Sequence, residues 1–90
     1  MKDPEYVNYH SSMSYFSDGT PVPELLTEGE TIKFLRLDDG GTKKPTLTLQ
    51  YYRSEGLLRA TKVGKRLRYL KSELLRFLNE LTQRTNSDIS

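Results

Sequence analysis

The hydrophobic period of this chain changes twice between residues 45 and 81, and that change restricts the fold more than any other feature. From Leu58 to Leu70 the side chains alternate with a period of two. Val63-Gly64-Lys65-Arg66 interrupts the run with glycine at the first central position of a two-residue turn. The spacing predicts a β-hairpin in which Val63 faces Arg66, Thr61 faces Arg68 and Ala60 faces Tyr69. One of its faces then holds Leu58, Ala60, Leu67 and Tyr69; the other holds Arg59, Thr61, Arg66 and Arg68. On either side the period is helical. Pro45 suits the first turn of a helix, where its missing N–H costs nothing, and Gly56 suits the position after the end of one near Glu55. That helix turns Leu49 and Tyr52 inward and leaves Leu47, Gln50, Tyr51 and Ser54 pointing out. Ser72 starts a last helix in which Leu74, Phe77, Leu78 and Leu81 recur at i, i+3, i+4 and i+7. The polar tail from Thr82 is expected to fray.

Upstream, Thr27-Glu28-Gly29-Glu30 is a capping box, in which hydroxyl and carboxylate each satisfy the other residue's backbone N–H. Ile32, Leu35 and Phe34 follow as an apolar stripe, predicting a helix over 28–37 that stops at Asp38-Asp39-Gly40-Gly41. Residues 1–23 are polar, and Tyr6, Tyr9, Tyr15 and Phe16 show no regular period. They read as a flexible leader whose aromatics pack on the domain or on a partner. The expected organisation is a leader (1–23), one domain (24–82) and a disordered tail (83–90). Its fold class is mainly α with a small β-hairpin, in the order helix, loop, helix, hairpin, helix.

Ninety residues allow one small domain, of marginal stability. Cysteine is absent, which removes disulfides, thiolate nucleophiles and Cys-based zinc sites together. No run of about 18 apolar residues occurs, and the first residues lack the pattern of a signal peptide, so the expected location is cytoplasmic, with no membrane partner. His10 is the only histidine. Nothing resembles a His-x-Glu, Cys-x-x-Cys or glycine-rich phosphate motif, and Asp38 with Asp39 fits a helix stop better than a metal site. The composition argues against an enzyme and implies no cofactor.

Charge supplies the positive argument. Lys43 to Arg76 holds ten Lys and Arg residues against Glu55 and Glu73, whereas residues 1–42 hold three basic and eight acidic ones. The overall charge of +2 conceals this division. Cations packed this densely repel one another unless solvent or a polyanion relieves them, and here they decorate a hairpin and the approaches to a helix. A helix about 10–12 Å across fits the major groove at ≈ 12 Å, and a hairpin beside it reaches phosphates or the minor groove. This describes a winged helix-turn-helix that binds double-stranded DNA. A solvated basic face is the plainer alternative, against which stands the clustering of Arg59, Arg66 and Arg68 on one hairpin face.

Thr48-Leu49-Gln50-Tyr51-Tyr52-Arg53-Ser54-Glu55-Gly56-Leu57-Leu58 closely resembles the signature that ends the recognition helix of MerR-type regulators. Val63-Gly64-Lys65-Arg66 through Phe77-Leu78 resembles the close of excisionase-like helix-turn-helix domains, and Leu26-Thr27 with its capped helix resembles their start. The likeness spans residues 25 to 81. It implies a DNA-facing helix surface at Thr46, Leu47, Gln50 and Tyr51, and a wing built around Arg66, Arg68 and Tyr69. Lys43, Lys44, Arg53, Arg59 and Lys65 complete the candidate DNA-binding set, with Lys65 at the wing tip and the two lysines at the helix N-terminus, where amides already attract phosphate. Two departures stand out. The segment from Asp38 to Lys44 is longer than the usual tight turn, and Gln50 replaces a customary arginine, which favours adenine over guanine edges. No effector-binding region follows Leu81, so no small-molecule effector is expected. The implied roles are transcriptional regulator or recombination directionality factor, working through self-association or beside a recombinase or RNA polymerase. The contrasting expectation is a protein-interaction adaptor whose basic face and aromatic leader dock an acidic partner.

Overall fold

The computed structural model describes residues 15–39 and 43–89. Within them lie three α-helices and a three-stranded antiparallel sheet, mostly α in content. In chain order these are β1 (Leu25–Leu26), α1 (Glu28–Leu35), a 3-10 turn (Leu37–Asp39), α2 (Pro45–Ser54), β2 (Thr61–Val63), β3 (Arg66–Leu70) and α3 (Lys71–Ile89).

The hairpin has the register its alternation predicts: Thr61 pairs with Arg68, Lys62 with Leu67 and Val63 with Arg66. Gly64 supplies the positive φ (65°) that the turn needs. The sheet nevertheless has a third strand that the sequence reading lacks. Leu25 pairs with Leu70 and Leu26 with Tyr69, so β3 is central in the order β1-β3-β2. Two residues are too few to show a period. What fixes them is burial: Leu26 and Tyr69 are both sealed from solvent on the inner face of the sheet. A backbone bond from the Lys71 N–H to the Glu24 carbonyl (2.8 Å) holds the end of this pairing.

α1 begins on the expected capping box. The Glu30 N–H donates to the Thr27 hydroxyl at 3.1 Å, and the Thr27 N–H donates to a Glu30 carboxylate oxygen at 2.9 Å. Its end differs from expectation. The helix closes at Arg36, which adopts the left-handed conformation (φ 58°), and the chain continues into the 3-10 turn. The expected stop at Gly40-Gly41 lies outside the described residues. α2 ends as predicted on Gly56 (φ 75°), whose N–H donates to the Arg53 carbonyl while the Leu57 N–H donates to that of Tyr52, both at 3.0 Å. These two bonds satisfy carbonyls that a helix end would otherwise leave open.

The core comprises Phe16, Val22, Leu26, Leu49, Leu58, Tyr69, Leu74 and Phe77. Phe16 and Val22 correct the reading of a flexible leader over its described part. Residues 15–21 form a closed loop in which the Phe16 N–H donates to Thr20, and the Gly19 N–H to Phe16. Asp18 accepts from both the N–H and the hydroxyl of Thr20. Lys33 of α1 pins the loop by pairing with Asp18 at 2.5 Å while its ammonium lies 4.7 Å from the Phe16 ring centre. α3 also runs beyond its expected end near Leu81, continuing helical to Ile89. Residues 82–87 are polar and exposed, and Thr82 and Asn86 bond back to the carbonyls four residues earlier. No helix of the described residues is long and apolar enough to cross a membrane.

Candidate nucleic-acid interface

α2 has two unlike sides. Leu49 is fully buried, and Tyr52 packs edge-on against Phe77 of α3 with ring centres 4.9 Å apart. Opposite them, Thr46, Leu47, Gln50, Tyr51 and Ser54 are all exposed. Leu47 is 52% and Tyr51 57% accessible. None of the five is charged, in a chain where 29% of residues are. A helix side that meets only water is normally rich in charge. This one instead offers an aliphatic group, an aromatic ring, an amide and three hydroxyls, of which that of Ser54 donates to the Tyr51 carbonyl at 2.8 Å.

Lys43 and Lys44 are exposed at the start of α2, where no side chain caps the helix. Across the hairpin, Arg66 and Arg68 share the outer sheet face with Thr61, Val63 and the Leu25–Leu70 pair, as the register requires. Lys65 stands at the exposed turn. Lys62 joins this group although the sequence reading passed over it. It alternates onto the other face opposite Leu67, and both are exposed. The hairpin is thus cationic on both faces, which the same period-two count would have shown. Arg66 and Arg68 border a shallow cleft of about 370 Å³ whose other wall is the start of α1, Thr27, Glu28 and Gly29.

Arg53 departs from its expected place among the DNA-facing residues. It is half-buried, and its guanidinium donates to the Tyr69 phenolic oxygen at 2.5 Å. Burial pushes the Tyr69 pKa above its ordinary value, while the charge and hydrogen bond of Arg53 pull the other way. The contact braces α2 against β3 on the inner side of the sheet, opposite Arg66 and Arg68. No hydrogen bond or ion pair among the described residues joins the outward side of α2 to those two arginines.

Arg59 is exposed, and its backbone N–H donates to a Glu73 carboxylate oxygen at 3.0 Å. Arg76 grips the same carboxylate with two hydrogen bonds and gives a further one to the Leu57 carbonyl at 2.9 Å. These bonds hold the Glu73 carboxyl below its ordinary pKa; Arg76 has the largest effect, and the N–H and charge of Arg59 reinforce it. The segment between α2 and the hairpin is thereby latched to α3.

The distribution of ion pairs follows the division of charge. Among the described residues the pairs are Lys33–Asp18, Arg36–Asp39, Arg76–Glu73 and Arg84–Glu80. None involves a residue between 43 and 71. Lys43, Lys44, Lys62, Lys65, Arg66, Arg68 and Lys71 therefore carry positive charge that no carboxylate of the described residues pairs with, while the charge of Arg59 already acts on Glu73. No protein-family model matches this chain, and neither a curated protein nor a solved structure does so.

Proposed function

We propose that this protein binds double-stranded DNA as a small winged helix-turn-helix. α2 enters the major groove, the hairpin acts as the wing on the adjacent backbone or in the minor groove, and Lys43 and Lys44 contact phosphate at the start of α2. The observation that carries this reading is the pairing of an uncharged, exposed helix side with seven cations that have no carboxylate partner. A polyanion relieves the cations, and groove edges accept what the neutral side chains offer. The likeness of residues 48–58 and 63–78 to MerR-type and excisionase-like signatures points the same way. The role that follows is binding without catalysis, as a transcriptional regulator or as a directionality factor that shapes DNA for a recombinase. A single short helix reads few base pairs, so useful selectivity requires adjacent copies or a partner protein.

The adaptor reading keeps one supporting observation, the exposure of Leu47 and Tyr51, which a protein groove would also accept. It loses Phe16, which is spent on the protein's own core. Charge reversal tests the two against each other. Arg66→Glu with Arg68→Glu should abolish duplex retention at low ionic strength while leaving the circular dichroism spectrum and urea midpoint nearly unchanged. Undiminished retention by the folded double variant would remove the wing from the proposal.

A further inference from the structure

Resting on the DNA-binding reading above, we infer that the outward side of α2 selects A·T over G·C pairs in the major groove, with Gln50 as the specificity-determining residue. Guanine is most often read by the fork of an arginine or by a lysine on its O6 and N7, whereas a glutamine amide matches the donor and acceptor of adenine. The exposed positions of α2 are Thr46, Leu47, Gln50, Tyr51 and Ser54. They form one continuous stripe, since 46 and 50 are four apart, as are 47 and 51, and 54 lies four beyond 50. No cation stands among them. Leu47 and the methyl of Thr46 suit the thymine methyl that the same groove displays.

The one cation within α2 is Arg53, and the structure withholds it. Its guanidinium is spent on the buried Tyr69 hydroxyl, on the side of the helix that faces the sheet. Tyr69 thus does more than fill the core: it keeps the only guanine-reading group of the helix off the groove-facing surface. Lys43 and Lys44 precede the helix and, on this reading, serve phosphate instead of base edges.

The test is selection of bound molecules from a pool of duplexes with randomised central base pairs. The full chain is used at about 50 mM salt, where non-specific attraction is strong enough to retain ligand. The wild type should enrich adenine at one position with thymine nearby, by about 5- to 150-fold over the G·C alternative. Gln50→Arg should move that position to guanine while the neighbouring preference stays. Lys43→Ala with Lys44→Ala should weaken retention of all sequences without altering the preferred bases. A guanine consensus in the wild type, a consensus unmoved by Gln50→Arg, or retention without any base preference overturns the inference and leaves DNA binding standing. Failure of every duplex to be retained overturns the DNA-binding reading and this inference with it.

Discussion

Phe16 shows how a single residue changes role once the fold is known. Tyr6, Tyr9, Tyr15 and Phe16 look alike in the sequence, a scatter of aromatics without period. Phe16 is nevertheless buried in the core, and the Asp18–Lys33 pair ties its loop to α1. Tyr15, its neighbour, stays exposed. Phe16→Ala should cost about 3–5 kcal/mol, the usual loss for emptying a buried aromatic site. In a domain this small that approaches the whole stability, so urea titration should find the variant largely unfolded, whereas Tyr15→Ala should stay within about 0.5 kcal/mol of wild type. Residues placed by a repeating pattern, such as Leu49, Leu74 and Phe77, were legible in the sequence because period alone assigns them to the core. Phe16, Val22 and Thr31 were not, since their burial depends on what other segments bring to them. Thr31 has no solvent exposure, and both its N–H and its hydroxyl donate to the Thr27 carbonyl, at 2.9 and 2.8 Å. A polar residue becomes a core residue when its hydrogen bonds are met locally.

At the level of elements, the ends of α1 and α2 contrast. α2 closes on Gly56, for which a positive φ carries no steric penalty. α1 makes a left-handed turn at Arg36, where a side chain costs roughly 1–2 kcal/mol. The glycine pair a few residues later drew the expected stop too far, because composition marks where a helix must have ended and not where it does end. Arg36→Gly should therefore stabilise the protein by about 0.5–1 kcal/mol: it removes the strain and forfeits only the exposed pair with Asp39 at 3.3 Å. A urea midpoint at or below the wild-type value would mean that Arg36 contributes something its visible contacts do not account for. The candidate site was legible to the same uneven degree. The outward set on α2 follows from a helical wheel, and Arg66 and Arg68 follow from alternation. Arg53 could not be placed, because position 53 lies at the margin of the helix face and only the partner Tyr69, sixteen residues away, decides where its guanidinium goes.

Across the whole molecule, two electrostatic patterns operate in different pH and salt ranges. The latch on Glu73 joins α3 to the segment that leads into the hairpin. Since its folded pKa is depressed, its contribution is complete above the unfolded value of about 4.3 and is lost as pH falls through the folded one. Asp18, held well below the usual carboxylate range first by its bond from Lys33, acts in the same direction. Glu73→Gln should lower stability at neutral pH by about 1–3 kcal/mol. The gap between variant and wild type should narrow as the solution is acidified below about pH 4, and a gap constant with pH would show that packing, and not charge, holds the latch.

The second pattern concerns binding. Every close ion pair of the described residues lies outside 43–71, so the cations there meet a polyanion without first surrendering a partner. Each phosphate contact releases close to one counterion from the duplex, which makes the salt dependence a count of contacts. If all seven unpaired cations engage, the logarithm of affinity should fall with the logarithm of salt at a slope near −6, and binding should weaken by ~10³ to 10⁴ between 50 and 200 mM. Lys65→Ala should make that slope shallower by about one without moving the preferred sequence, as befits a wing-tip phosphate contact. Arg53→Lys should leave the slope unchanged, because the guanidinium is engaged by Tyr69 and is not part of the contact count. A slope near −2 in the wild type would confine the contacts to one end of the surface, either the start of α2 or the hairpin, and would break the link between unpaired charge and binding on which the interface rests.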